Sequence, residues 1–204
     1  KYLIHFTRVD NLNSILQNGL VPVNLQPKMK ISSFHNDQQR FDSQLDCTSF
    51  SIGFPNYRLL FVFKKKFPET KWALILIDAN VILSTKNSVY FCQTNAARVF
   101  HRVENIEELC EFHAFEKMFS GSITTSENKT INREDLCIRD DYSTDPQAEI
   151  LISDIIPPSL IKCVCFPSPI ESREYINTFG SDFLNKFTSR YTDKFFTYRN
   201  DYEF

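Results

Sequence analysis

"LIHFTRVDNLNSILQNGL", residues 3–20, predicts a β-strand that runs directly into a helix. Apolar and aromatic residues open the stretch, as strands prefer. Apolar residues at helical spacing follow, with Asp10 as the predicted N-cap and Gly19 as the C-terminal stop. His5 does not fit a purely structural interpretation, because it puts a titratable ring in a short apolar strand, two residues before the hydroxyl of Thr7. A lone histidine in a strand is more often a hydrogen-bonded core residue than a functional one.

Composition favours one globular domain and excludes several classes of binding protein. The chain has 204 residues, enough for one domain with a real hydrophobic core. Only four glycines occur, and no glycine-rich phosphate-binding motif is present. The net charge of −2 argues against a protein that binds nucleic acid over its whole surface, so any such contact must be local. The basic run 64–66 is interpreted first as a solvated face.

Six cysteines are present, without a CxxC pair or a zinc-like Cys/His spacing, so no metal site is predicted. Cys163 and Cys165 would share one face of a strand, and the cysteines are expected to be small buried thiols in a reducing cytosol. No signal peptide and no apolar run of membrane-spanning length occurs, which predicts a cytoplasmic protein that makes no contact with a membrane.

The pattern of the chain predicts a mixed α and β domain, residues 1–204, with five or six strands. Strands are expected at 47–54, 72–78, 88–92, 147–154 and 161–166, and helices at 94–100, 105–119 and 168–180. Residues 57–66 fit a helix or a strand equally well. Residues 120–146 are polar and predict a long loop with little structure of its own, and residues 170–204 a C-terminal helical extension.

Glu149 is the first candidate for chemistry. It stands at the start of an otherwise apolar strand, directly after the long polar loop. Charged residues are seldom buried without a partner, so this carboxylate belongs either to an exposed sheet edge or to a functional site. The residues around Glu149 do not decide between an exposed sheet edge and a functional site.

Five stretches of the chain, taken together, resemble the DarT family of nucleic-acid ADP-ribosyltransferases, the toxins of toxin–antitoxin systems. They are HFTRVDNLNSILQNGL (5–20), NDQQRFD (36–42), SFSIGFPNYRLLF (49–61), TNAA (94–97) and PQAEILISDIIPPSLI (146–161). The resemblance implies an α+β fold, the split antiparallel sheet of ADP-ribosyltransferases with flanking helices. It also implies transfer of ADP-ribose from NAD to a base in single-stranded DNA, with release of nicotinamide and without a metal.

The resemblance also implies roles for particular residues. Glu149 matches the catalytic glutamate, and Arg40 or Arg58 would be the catalytic arginine. His5, Phe6, Thr7, Ser14 and Arg40 would bind the cofactor. Tyr57, Asn95, Arg98, Arg139 and Tyr142 would bind nucleic acid, with Phe50 a further stacking candidate. A fixed carboxylate suits this chemistry, because cleavage of the nicotinamide bond develops positive charge on the ribose.

One departure bears on the substrate. Thymidine-modifying members carry a Pro-Arg-Ser-Pro-Met-type segment with a catalytic arginine, whereas this chain has Asn56 at that place. The pairing of NDQQRFD with FPNY is more similar to the guanosine-modifying branch, so guanine is expected rather than thymine. Alternatives are an RNA or protein acceptor, or a non-catalytic NAD-fold interaction module. The resemblance further implies a monomer and an antitoxin that is an ADP-ribosyl hydrolase.

Overall fold

The opening strand lies inside a seven-stranded sheet in this computed structural model, which describes residues 2–34, 46–84, 89–100, 105–124, 130–180 and 188–199. The strands are β1 (Tyr2–Arg8), β2 (Thr48–Ile52), β3 (Trp72–Asp78), β4 (Val89–Cys92), β5 (Ser122–Thr124), β6 (Thr130–Asn132), β7 (Glu149–Ile152), β8 (Ile161–Phe166) and β9 (Thr188–Tyr191). The helices are α1 (Leu12–Asn18), α2 (Tyr57–Lys66), α3 (Val81–Ser84), α4 (Ala96–Phe100), α5 (Phe112–Lys117) and α6 (Pro169–Phe179). Short 3₁₀ turns join several of these elements.

The sheet order is β4-β7-β2-β1-β3-β8-β9, and β5 and β6 form a separate two-stranded hairpin. Neighbouring strands are antiparallel except β8 and β9, which are parallel. The predicted α+β fold with a mainly antiparallel sheet is therefore confirmed.

The sheet is split between β1 and β2. Every residue of β1 has a partner on β3, from Tyr2 to Arg8. On its other side, β1 pairs with β2 only at Leu3 and Ile4, and the ladder stops before His5. The first half of β2 pairs instead with β7. Two small sheets thus meet over two residue pairs and separate at His5.

The two faces of the sheet bury different cores. Leu3 packs in the larger cluster with Leu12 and Leu16 of α1, whereas Ile4 packs in a second cluster with Leu60 and Phe63 of α2. Successive side chains of a strand point to opposite faces. His5 and Thr7 therefore share the α1 face with Leu3, while Phe6 and Arg8 belong to the α2 face.

Residues 57–66, which fitted two structures equally, form the helix α2. The Asn56 side chain caps it by accepting a hydrogen bond from Leu59 N at 3.0 Å. Tyr57, Leu60 and Phe63 are buried at intervals of three residues, which is helical spacing. The basic run 64–66 closes the helix, where positive charge is favourable to the helix dipole.

The prediction of one helix over 105–119 is wrong. Residues Ile106–Cys110 form a 3₁₀ turn, Glu111 is extended (φ −81°, ψ 153°), and α5 follows. In a continuous α-helix, Leu109 and Ala114 would point about 140° apart. The break at Glu111 lets both be buried, and it leaves Phe112 71% exposed.

Three smaller predictions are also corrected. Asp10 is not the N-cap of α1, because it lies in a 3₁₀ turn and Asn11 precedes the helix. The polar segment 120–146 has structure in its described part, namely β5, β6 and the 3₁₀ turn Arg133–Leu136. Cys110 and Cys137 are exposed, whereas the other four cysteines are buried as expected.

The C-terminal segment is only partly helical. Ser168 caps α6, with its hydroxyl accepting from Glu171 N at 3.3 Å. Strand β9 then adds to the sheet beside β8. A strand at the edge of a sheet exposes unpaired backbone groups, and an added strand satisfies them. Within the described ranges, no helix is long and apolar enough to cross a membrane.

Candidate active site

A cleft of about 710 Å³ opens where β1 and β2 separate. His5 and Thr7 line it from β1, Ser49 from β2 and Glu149 from β7. Side chains from both faces of β1 reach it, including Phe6 from the α2 face. Residues on opposite faces of one strand can line one cavity only along that strand's free edge, so the split itself creates the cleft.

Glu149 is 8% exposed, and three donors among the described residues hold its carboxylate. Its Oε1 accepts a hydrogen bond from Ser49 Oγ at 3.0 Å. Its Oε2 accepts from the backbone N–H of Ala96 at 2.6 Å and from Asn95 Nδ2 at 3.4 Å. The Ala96 N–H belongs to the first turn of α4, where backbone donors have no partner within the helix. The carboxylate is thus fixed in orientation at the wall of the cleft.

His5 is tied to the same strand residue as Glu149. Its Nδ1 lies 3.0 Å from the carbonyl oxygen of Ser49. A carbonyl only accepts, so Nδ1 carries the proton and the neutral ring has its acceptor at Nε2. The ring of Phe50 lies at 5.9 Å from the imidazole, centroid to centroid. Ser49 therefore connects His5 through its main chain and Glu149 through its side chain.

The other predicted cofactor residues that the structure describes reach the same cleft. Thr7 is 3% exposed, and its hydroxyl accepts from Asn11 Nδ2 at 3.2 Å. Phe6 packs on the α2 face, and Ser14 is half-buried on α1. The prediction for Arg40 falls outside the described residues. Four predicted cofactor contacts are thus gathered around one cavity.

The two arginines on helices near the cleft differ in position. The residues of α2 that line the cleft are Leu59, Val62, Phe63 and Lys66, which form one helical face. Arg58 lies outside that face, and its Nε is 3.5 Å from Tyr57 Oη. Arg58 is therefore not among the residues that line the cleft, and its catalytic role stays a prediction. Arg98 lines it together with Asn95.

Two tyrosines predicted to stack on bases are core residues. Tyr57 and Tyr142 are 1% and 6% exposed, and both pack against Phe54. Phe50 is equally buried, at 1%. Side chains buried to this degree offer little free face to a base in this conformation, although Phe50 lines the cleft. Base stacking on these three rings stays a prediction.

The segment before Glu149 is clamped by two arginines. Arg133 donates to the backbone carbonyls of Arg139, Asp140 and Tyr142 and to the Thr144 hydroxyl, at 2.8 to 3.1 Å. Burial lowers the pKa of its guanidinium. Arg199, 3% exposed, donates to the carbonyls of residues 143 and 144 at 2.7 and 2.9 Å. Six hydrogen bonds from the two arginines thus hold the loop that precedes Glu149.

Arg139 lies on the outside of this loop rather than in the cleft. It is exposed, and its Nε donates to Asp141 Oδ1 at 2.8 Å. This hydrogen bond is the main reason why the pKa of Asp141 lies below its usual value. The position suits an ion pair that stiffens the loop, and a nucleic-acid contact from Arg139 stays a prediction.

Sequence reasoning missed Ser49 and the backbone of Ala96. Both lie in stretches that carried the resemblance, but a serine in a strand gives no signal of its own and a backbone donor gives none at all. No group of three or more His, Cys, Asp or Glu side chains in the described ranges could hold a metal ion.

Comparison with known proteins identifies the family. The family model for DarT, described as ssDNA thymidine ADP-ribosyltransferase, matches residues 4–196. No curated protein sequence matches the chain. Among solved structures, the fold is similar to Thermus sp. 2.9 DarT in complex with NAD⁺ (12% identity, TM-score 0.55, 96% of this chain and 97% of that one). It is also similar to Thermus sp. 2.9 DarT in complex with ADP-ribosylated ssDNA (15% identity, TM-score 0.60, 96% of each chain).

A third similar structure is Thermosipho africanus DarTG in complex with ADP-ribose (13% identity, TM-score 0.57). The match covers 96% of this chain but 51% of that one, so this chain spans about half of the Thermosipho protein. At such identities the structural likeness shows a shared fold. The family match extends over most of the chain, and it confirms the predicted class of NAD-dependent ADP-ribosyltransferase. The chain therefore belongs to the DarT family.

Proposed function

We propose that this chain transfers ADP-ribose from NAD to a base of single-stranded DNA and releases nicotinamide. The observation that carries the proposal is the link from His5 through Ser49 to Glu149 along the cleft wall. The cleft volume of about 710 Å³ is suitable for a ligand of dinucleotide size. The solved structures with NAD⁺ and with ADP-ribosylated ssDNA, which share this fold, support the choice of donor and acceptor.

The reaction breaks the bond between the nicotinamide nitrogen and the ribose C1′. The bonding electrons leave with nicotinamide, and C1′ becomes an oxocarbenium-like cation. Glu149, already fixed by three donors, would stabilise this charge and accept a hydrogen bond from the 2′-hydroxyl. In its neutral form, with the proton on Nδ1, His5 has an acceptor at Nε2 that suits a second ribose hydroxyl. A base nitrogen then bonds to C1′ and loses its proton to Glu149 or to water.

We infer guanine rather than thymine as the acceptor base, on the sequence resemblance to the guanosine-modifying branch. The side chain at the place of the thymidine-branch arginine supports this inference. Asn56 is 2% exposed, and its Oδ1 caps α2, so it brings no positive charge to the cleft. Arg98 is then the first described residue that could supply a cation beside Glu149.

A toxin role follows from the same proposal. The family resemblance and the DarTG name of a similar structure support a toxin–antitoxin or anti-phage system with an ADP-ribosyl hydrolase as antitoxin. Expression of the chain alone should then stop bacterial growth, and expression of the Glu149→Gln variant should not.

The Glu149→Gln variant also tests the chemistry directly. The amide can still accept from Ala96 N while the Ser49 hydroxyl rotates to accept from it, so the fold should survive. With labelled NAD and oligonucleotides, we expect transfer to fall more than 100-fold while NAD affinity stays within about threefold, because the lost contact is made mainly in the transition state. Glu69→Gln, a change to an exposed carboxylate, is the matched control.

Mass spectrometry of nucleosides from treated DNA and RNA identifies the acceptor. A modified deoxyguanosine supports the proposal in full, and a modified thymidine overturns the guanine inference alone. Label that appears only in RNA or protein favours the alternative acceptors. Undiminished toxicity of Glu149→Gln would instead favour a non-catalytic interaction module.

A further inference from the structure

The cleft continues onto the α2 face of the sheet, where cationic and aromatic side chains alternate. Phe34, Val62 and Lys66 line this part of the cleft, and Arg8 and Phe67 adjoin them. We name these five residues the α2 strip. The cofactor contact on a helix, Ser14, lies on α1 and so on the other face of the sheet. His5 and Thr7 share that other face, whereas Phe6 lies on the α2 face, so the α2 strip borders the cofactor contacts and offers a surface to a second substrate.

Phe34 is an exposed aromatic ring on a fixed backbone. Its side chain is 58% exposed. Its backbone is held from both sides by the buried Asn11, which accepts from Phe34 N at 2.8 Å and donates to Phe34 O at 3.0 Å. The same Asn11 amide donates to Thr7 in the cleft. The buried Asn11 therefore holds an exposed ring at the edge of the cleft, where the ring can stack on a ligand.

Positive charge surrounds this ring. The Arg8 guanidinium lies 5.7 Å from the Phe34 ring centroid and 4.6 Å from that of Phe67. The Lys66 ammonium lies 5.3 Å from the Phe67 centroid and makes no ion pair with a described carboxylate. Residues 57–67 contain four cations and no acidic residue, although the whole chain is slightly acidic. Cations beside stacking rings are the chemistry that recognises single-stranded nucleic acid.

We propose that the α2 strip binds the nucleotides that flank the acceptor base, with one base stacked on Phe34 and backbone phosphates beside Lys66 and Arg8. This inference rests on the proposed function, because it assigns a surface to the acceptor strand. It gives Lys66, the last residue of the basic run 64–66, a ligand, although sequence alone favoured a solvated face for the run. It also explains how a chain of net charge −2 holds a polyanion, since the contact is local.

The test measures binding of a fluorescent single-stranded DNA by anisotropy, without NAD, and binding of NAD by calorimetry. Phe34→Ala should raise the Kd for the oligonucleotide roughly tenfold, and Phe34→Tyr should restore it, because base stacking depends on the ring. Lys66→Ala should reduce the slope of log Kd against log salt by about 0.7, the effect of one phosphate contact on a single strand. Neither variant should change the Kd for NAD.

Two surface substitutions are the controls. Lys65→Ala removes the same charge one residue away, outside the helical face that lines the cleft, and Phe112→Ala removes an exposed ring on α5. Both should behave as the unaltered protein. Unchanged oligonucleotide binding by the Phe34 and Lys66 variants would refute the proposal that the α2 strip binds DNA. A loss of NAD affinity without a loss of DNA affinity would refute it as well. Strip-dependent DNA binding by a protein that transfers nothing supports the strip and overturns the proposed function.

Discussion

Ser49→Ala tests whether the hydroxyl of Ser49 acts on catalysis through Glu149. The substitution removes the donor that lies 3.0 Å from Oε1 and keeps the main-chain carbonyl that holds His5. A hydrogen bond to a charged group contributes about 1.5–3 kcal/mol. Two donors to Oε2 remain, so we expect a loss of about 2 kcal/mol, which is roughly thirtyfold in kcat. The KM for NAD should stay within about twofold, because the misplaced carboxylate acts mainly in the transition state.

The assay is single-turnover transfer of labelled ADP-ribose to an oligonucleotide, run as a double-mutant cycle with Glu149→Gln. If the hydroxyl acts only by orienting the carboxylate, Ser49→Ala should change the residual rate of Glu149→Gln by less than about twofold. Urea unfolding of each variant checks that global stability is not the cause. Effects that simply multiply in the double variant would refute the reasoning, since Ser49 would then act independently of Glu149.

Two further predictions concern stability. Arg199→Ala removes the buried guanidinium that donates to the carbonyls of residues 143 and 144, so it should lower the free energy of unfolding by about 3 kcal/mol. Urea unfolding measures the change against the exposed control Arg173→Ala. Equal stability of the two variants would mean that water replaces the lost donors. Burial raises the pKa of Tyr175 to about 12, so the folded state binds this proton more tightly and stability should fall as pH rises from about 10 to 12. Tyr175→Phe loses the 2.8 Å hydrogen bond to Asn13 and should be less stable by about 1 kcal/mol at pH 9. Because it lacks the titrating hydroxyl, it should also lose less stability than the unaltered chain between pH 9 and pH 11.5. Parallel plots of stability against pH for the two proteins would contradict this.

Sequence predicted the central strands because their signals are local. The apolar character of 72–78 and 161–166 follows from burial within a sheet, and both segments are strands with these same bounds. The helix at 105–119 was mispredicted for the opposite reason. Its apolar spacing suits one helix, but packing against the core next to β4 favours a 3₁₀ turn followed by the short helix α5. The local sequence does not show such a tertiary preference.

The site divides in the same way. His5, Thr7 and Glu149 were predicted because their residue types are unusual in apolar strands or match family motifs, and they do line one cleft. Tyr57 and Tyr142 were assigned to nucleic acid because aromatic residues can stack on bases. Their aromatic character serves the core instead, and sequence does not show on which side of a helix or loop the core lies.

The split in the sheet explains why a histidine stands at position 5. The β1–β2 ladder ends at Ile4, so β1 offers no ladder partner to the Ser49 carbonyl, although that carbonyl points toward β1. A half-buried carbonyl still needs a donor, and the imidazole Nδ1–H supplies it from a side chain instead of the backbone. This bond also fixes the ring and leaves Nε2 as its acceptor. The structural interpretation of His5 as a hydrogen-bonded residue and its proposed contact with ribose are therefore compatible, since the first orients the ring for the second.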